Sequence, residues 1–393
     1  MLLAAAALAL VACGAPGGIG PAASPAPPAT AGKAADFRVH LDSLLGEHML
    51  LGARATDAAL AGRSDEYAAY ASLLTRNATD LGDLLGGALG TDAQNRFDQL
   101  WAAHDAAVAQ YAAAVAAQDR AARDRAAQQL DTGFVAPFAD LFTSASGLPR
   151  DTLTELAKDH VQRVEQLVDD QSRQTWPAVY ADVRGGTADM QEVGDALAPA
   201  IVRKQARRLP GSATGKAVDL RVTLDQLLQE HAYLATSATG AAIGGRTDEF
   251  QAAEKALDDS GADLGRALGT VAGTDAQNQF DRLWTAHDAS VVDYTMAVAR
   301  GDRTGQESAA AKLDGVSVPE LASFLAAATG LPGDALTNLL KEHVATTRDV
   351  VDAQAQHDVA AAASKDRQAA QRMAMIGDPM AAALVRKRPQ KFV

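Results

Sequence analysis

The sequence predicts an all-α protein, a tandem duplication of an antiparallel helical bundle with about five to six helices per copy. Three observations predict it. Aromatic residues make up only 5% of a chain that is 48% hydrophobic, so its cores consist mostly of Ala, Leu and Val. Alanine favours helices and is depleted in strands. Apolar residues recur at three- and four-residue spacing, the mark of one buried helix face. Much of the second half matches the first at a fixed offset of 183 residues, without insertion or deletion. That period is far longer than a solenoid repeat, and each copy is long enough to be a domain of its own. The copies are residues 36–208 and 219–393, joined by a linker at 209–218 that contains LPGSATG.

The first helix is predicted from Phe37 to Ala61, with Leu41, Leu44, Leu45, His48 and Leu51 on its inner face. Ser64 is placed to cap a second helix, with Asp65 and Glu66 in the first turn, where the helix dipole favours acids. Leu74, Asn77, Leu81 and Leu84 give that helix its inner face. Thr91-Asp92-Ala93-Gln94 matches a capping box opening the third helix, whose inner face carries Phe97, Trp101, His104, Val108 and Tyr111. A fourth starts near Asp119 and buries Leu130, Phe134, Phe138 and Leu141. Gly147-Leu148-Pro149 breaks the chain, and Pro149 suits a first turn. The fifth helix carries Leu153, Leu156, His160, Val164 and Leu167. A last stretch near 187–207 carries Met190, Leu197 and Ile201 and ends in Arg203, Lys204, Arg207 and Arg208.

The second copy repeats these signals. Gly62-Arg63 returns as Gly245-Arg246, Thr91-Asp92-Ala93-Gln94 as Thr274-Asp275-Ala276-Gln277, and Gly147-Leu148-Pro149 as Gly330-Leu331-Pro332. Met190 returns as Met373, and Val202-Arg203-Lys204 as Val385-Arg386-Lys387.

Six of the eight histidines fall on the same grid. His48, His104 and His160 are 56 residues apart, and so are His231, His287 and His343. In an up-down bundle the first, third and fifth helices run parallel. The first three histidines then lie about 16, 18 and 14 Å into their helices, within one turn of a common level. Three neutral imidazoles in a dry interior must hydrogen-bond to one another or give lone pairs to a metal. Three nitrogen ligands suit zinc or copper, and imidazole also suits iron. Metal binding would then weaken near the histidine reference pKa of about 6.5. Asn77 and its counterpart Ser260 lie near the same depth, and Met190 and Met373 fall on inner faces, so these four are candidates to support the ligands. Each histidine has an adjacent acid: Glu47, Asp105 and Asp159, then Glu230, Asp288 and Glu342. An acid from one helix could orient the histidine of the next, although most such acids are expected to be solvated. His40 and His357 have no histidine counterpart.

The net charge of −13 disfavours nucleic acid and anionic lipid surfaces, which need basic patches. No P-loop, G-x-S-x-G, H-E-x-x-H or dinucleotide fingerprint occurs. Residues 2–12, LLAAAALALVA, form an apolar run too short to span a bilayer, and the only cysteine, Cys13, follows them. Leu10-Val11-Ala12-Cys13 resembles the bacterial lipobox, in which the cysteine is lipidated. The chain as a whole is similar to Ala-rich helical lipoproteins of bacterial envelopes. That resemblance implies a signal peptide at 1–13, a membrane anchor at Cys13 and export to the extracytoplasmic side; it implies no activity. Residues 14–35, rich in Gly, Pro and Ala, are predicted to be a flexible tether. The leading expectation is a tethered protein binding one transition metal per bundle. The others are an envelope interaction module with packed histidines, and a haem or non-haem iron protein. No pattern defines a substrate pocket, so enzymatic activity is not the expectation.

Overall fold

The computed structural model describes residues 30–393. The lipobox-like segment and Cys13 lie outside the described residues. Within them the chain is all-α. The first copy runs α1 (Lys33–Leu60), α2 (Ser64–Leu89), α3 (Thr91–Ala116), α4 (Arg120–Gln128), α5 (Ala136–Ser146), α6 (Arg150–Arg173) and α7 (Trp176–Lys204). The second runs α8 (Lys216–Ile243), α9 (Thr247–Ala272), α10 (Thr274–Ala299), α11 (Arg303–Lys312), α12 (Val318–Thr329), α13 (Gly333–Ala355), α14 (Val359–Arg372) and α15 (Ala374–Lys387). Among the described residues no helix is long and apolar enough to cross a membrane.

Several local expectations are corrected. Ser64 does not cap α2 with its side chain. The capping box at Thr91 is not formed either: Gly90, at φ 100°, turns the chain in one residue and pushes Thr91 into the first turn. Gln94 instead donates to Asp83 Oδ1 at 2.7 Å. Asp119 does cap α4, accepting from the Ala122 amide. The predicted fourth helix is one bent rod, in which a π-helical turn at Gln129–Val135 joins α4 to α5. The last helix begins at Trp176, well before residue 187. Gly185 and Gly186 lower its intrinsic propensity, yet packing holds it: Met49 lies against Gly186 so closely that a Cβ there would overlap its side chain. In the second copy the same rod is interrupted at Met373, six residues before Pro379. A proline inside a helix removes a donor and crowds the preceding turn.

The largest departure concerns the two copies, which share one continuous core instead of two cores joined by a linker. Several contacts between them come in reciprocal pairs. Near their starts α1 and α8 cross through Ala35, Val39, Val218 and Val222, small residues that let the backbones approach. Arg38 donates to the Ala213 carbonyl and to Asp219, at 2.9 and 2.6 Å. Its counterpart Arg221 donates to the Thr30 carbonyl and to Asp36, at 3.0 and 2.6 Å. Each arginine thus pins the entry of the other copy's first helix. Residues 30–35, expected to belong to the tether, are therefore part of the fold.

Close packing inside each copy relies on glycine. Gly194 of α7 lies against Asp42 of α1, whose carboxyl is fully buried with neither oxygen hydrogen-bonded. Burial raises its pKa well above the usual carboxylate range, with the Asp195 charge adding to this and the Arg38 charge, 3.6 Å away, opposing it. Gly377 and Asp225 repeat the contact. Gly194→Ala places a methyl on the Asp42 carboxyl and should destabilise the protein by about 1–3 kcal/mol. Urea unfolding checks this, and an unchanged midpoint would refute it.

Candidate metal centre

Helices α1, α3 and α6 pack on one another, and each turns a histidine to the shared interior. His48, His104 and His160 are 5%, 1% and 1% exposed. Each histidine offers a ligand atom within 4.8 Å of the other two. His104 Nε2 and His160 Nε2 are 3.3 Å apart, the spacing expected for two ligands about 2.0–2.1 Å from one tetrahedral ion. The same distance also permits a hydrogen bond between the two rings. On α8, α10 and α13, His231, His287 and His343 repeat the cluster under the same 4.8 Å limit. Their ring centroids lie 5.7–6.3 Å apart.

All six Nδ1 atoms are buried without a hydrogen-bond partner among the described residues. Buried polar atoms are normally paired; with Nε2 of His104 and His160 facing each other, the fit to a metal rests on the converging rings, and their Nδ1 atoms lack the outer partner that metal-bound histidines usually have. Protonation states support this. Burial pushes the pKa of His48 down to about 3, helped by the nearby His160 charge, and that of His160 down to about 4. His287 is pushed to about 3 and His343 to about 4 for the same reason. His104 and His231 lie well below the ordinary value, again mainly by burial. The rings are therefore neutral at pH 7.

Of the adjacent acids, Asp105 reaches across from α3 to His48 Nδ1 at 3.9 Å, and Asp288 from α10 to His231 at 3.9 Å. Burial raises the pKa of Asp105 to about 7. Asp159 and Glu342 are exposed. Glu47 and Glu230 are buried, contrary to the expectation of solvated flanks. Arg367 of the second copy holds Glu47 at 3.1 and 2.7 Å and also reaches Asp80. Arg184 of the first copy holds Glu230 and Asp263 in the equivalent way.

Two of the four supporting candidates hydrogen-bond elsewhere. Asn77 donates to Glu47 and to the Leu44 carbonyl, and Ser260 donates to Glu230 at 2.7 Å. Both steady the ion pairs between the copies. Met190 and Met373 are buried in the apolar core. His40 and His357 are exposed and outside both clusters.

Aromatic rings close the site. Trp101 meets His48 edge-on at 4.9 Å, and Trp284 meets His231 at 4.7 Å. Phe134, carried by the π turn, lies 4.2 Å from His104. Its counterpart Ser317 removes that cover in the second copy. Such turns recur at functional sites, but no sequence pattern marked this one. The cavities beside the triads, about 220 and 10 Å³, are smaller than the roughly 300 Å³ at the lower end of organic-ligand pockets. No protein family, curated protein or solved structure matches the chain.

Proposed function

We propose that this is an exported, lipid-anchored protein that holds one transition-metal ion per copy, to store, buffer or deliver it. The carrying observation is the pair of buried triads, each with three imidazoles that offer ligand atoms within 4.8 Å of one another. A donor set of three nitrogens without thiolate suits copper, zinc or iron, and leaves a position open for exchange. The lipobox-like Leu10-Val11-Ala12-Cys13 supports the anchor. Titration of metal-free, untagged protein with each metal at pH 7 tests the reading. Saturation at two ions per chain is expected; no retained metal would leave the histidines as packing residues.

The pH dependence should differ from that of exposed histidines. Only neutral imidazole is a ligand. A free histidine gains its proton as pH falls through about 6.5, but the buried rings do so only towards 3–4. Protons therefore compete weakly at pH 6.5, and occupancy should hold to about pH 5 before falling. Equilibrium dialysis across pH 4–8 checks this. A release midpoint at the ordinary histidine value would contradict it.

A further inference from the structure

The two triads are alike, but their surroundings are not. Beside His48 and His104 an apolar cavity of about 220 Å³ opens between α1, α2 and α3. The equivalent space beside His231 and His287 is about 10 Å³. Part of the lining is the same at the 183-residue offset, including Thr56 with Thr239, Leu74 with Leu257 and Val108 with Val291. Ala53 and Ala71 correspond to the larger Thr236 and Glu254, Leu167 to the smaller Val350, and three positions that line both spaces gain bulk in the second copy. Gly52, Ala109 and Ala112 correspond to Ala235, Val292 and Thr295, and all six line their respective spaces. Met49, opposite the smaller Ala232, goes the other way, but its side chain leans on α7 at Gly186.

Gly52 is the most telling of these. A glycine inside a helix costs stability relative to alanine, and here nothing lies within 4 Å of where a Cβ would stand. No neighbouring group requires it, and a methyl there would occupy part of the open space. An apolar cavity of about 150 Å³ can bind benzene or xenon, and this one is larger. Its polar groups are few: the two imidazoles, Asp105, Thr75, the Tyr67 hydroxyl, and Thr56, which already hydrogen-bonds Gln171 at 2.8 Å. An anion would meet apolar walls and the Asp105 carboxyl, and the mostly apolar lining favours an uncharged occupant over any ion.

We propose that the first copy carries a binding site for a small, neutral, apolar molecule of single-ring size, seated against His48 and His104, and that the second copy has filled the equivalent space. This goes beyond the metal reading and holds even if the triads bind no metal.

Benzene is the probe, titrated into the metal-free full-length protein and followed by calorimetry. One molecule per chain should bind, and the melting temperature should rise with benzene concentration. The variant G52A/A109V/A112T gives the first copy the residues that the second already carries, and should abolish binding while the helical circular dichroism remains. The reverse variant A235G/V292A/T295A should raise the stoichiometry to two, and it decides the matter if the filled variant does not fold. Absence of benzene binding by the unmodified protein, or retained binding in a folded filled variant, would overturn the proposal.

Discussion

His104→Ala should reduce metal stoichiometry from two ions per chain to one, His287→Ala should do the same, and the double variant should bind none. Each triad draws all its ligands from one copy, and loss of one of three nitrogens leaves two imidazoles that cannot enclose an ion with the same geometry. His104 has the larger structural stake as well, because Phe134 packs on its ring at 4.2 Å. His40→Ala and His357→Ala should leave the count at two, since both residues are exposed. Elemental analysis of the dialysed variants checks the series. Two ions retained in the double variant would place the metal elsewhere.

Arg367→Ala should be the most destabilising substitution among the ion pairs. Glu47 is only 1% exposed, and Arg367 is its main counter-charge, supported by Asn77 and Tyr233. Truncating one partner of a buried pair strands the other charge and costs about 3–5 kcal/mol. Arg184→Ala should cost less, because Arg184 is 23% exposed and Glu230 also accepts from Ser260. Chemical unfolding of the two variants compares them. A loss below about 1 kcal/mol for Arg367→Ala would contradict the assigned role of this pair.

The fold class and the meeting of the histidines were legible in the sequence because both are periodic. Leu41, Leu45, His48 and Leu51 state one face of α1, and the 56-residue spacing places three such faces at one level. The joining of the copies was not legible within one copy, because Arg38, Glu47 and Arg367 find their partners 181, 320 and 320 residues away. A signal was nevertheless present: Asp36, Arg38, Glu47, Asp80 and Arg184 all keep their charge at the 183-residue offset. Charges retained on the outside of each bundle point to a shared face. Asn77 was placed at the right depth but on the wrong partner, since depth along a helix does not say which neighbour a side chain meets. The cavity rests on Gly52, Ala109 and Ala112, whose size differences from Ala235, Val292 and Thr295 carry no periodic signal.

The most direct test of the central claim is an X-ray absorption spectrum of the metal-loaded, untagged protein. The account predicts about three nitrogen neighbours per ion at about 2.0–2.1 Å, with imidazole scattering beyond them. An inner sphere made only of oxygen would contradict it.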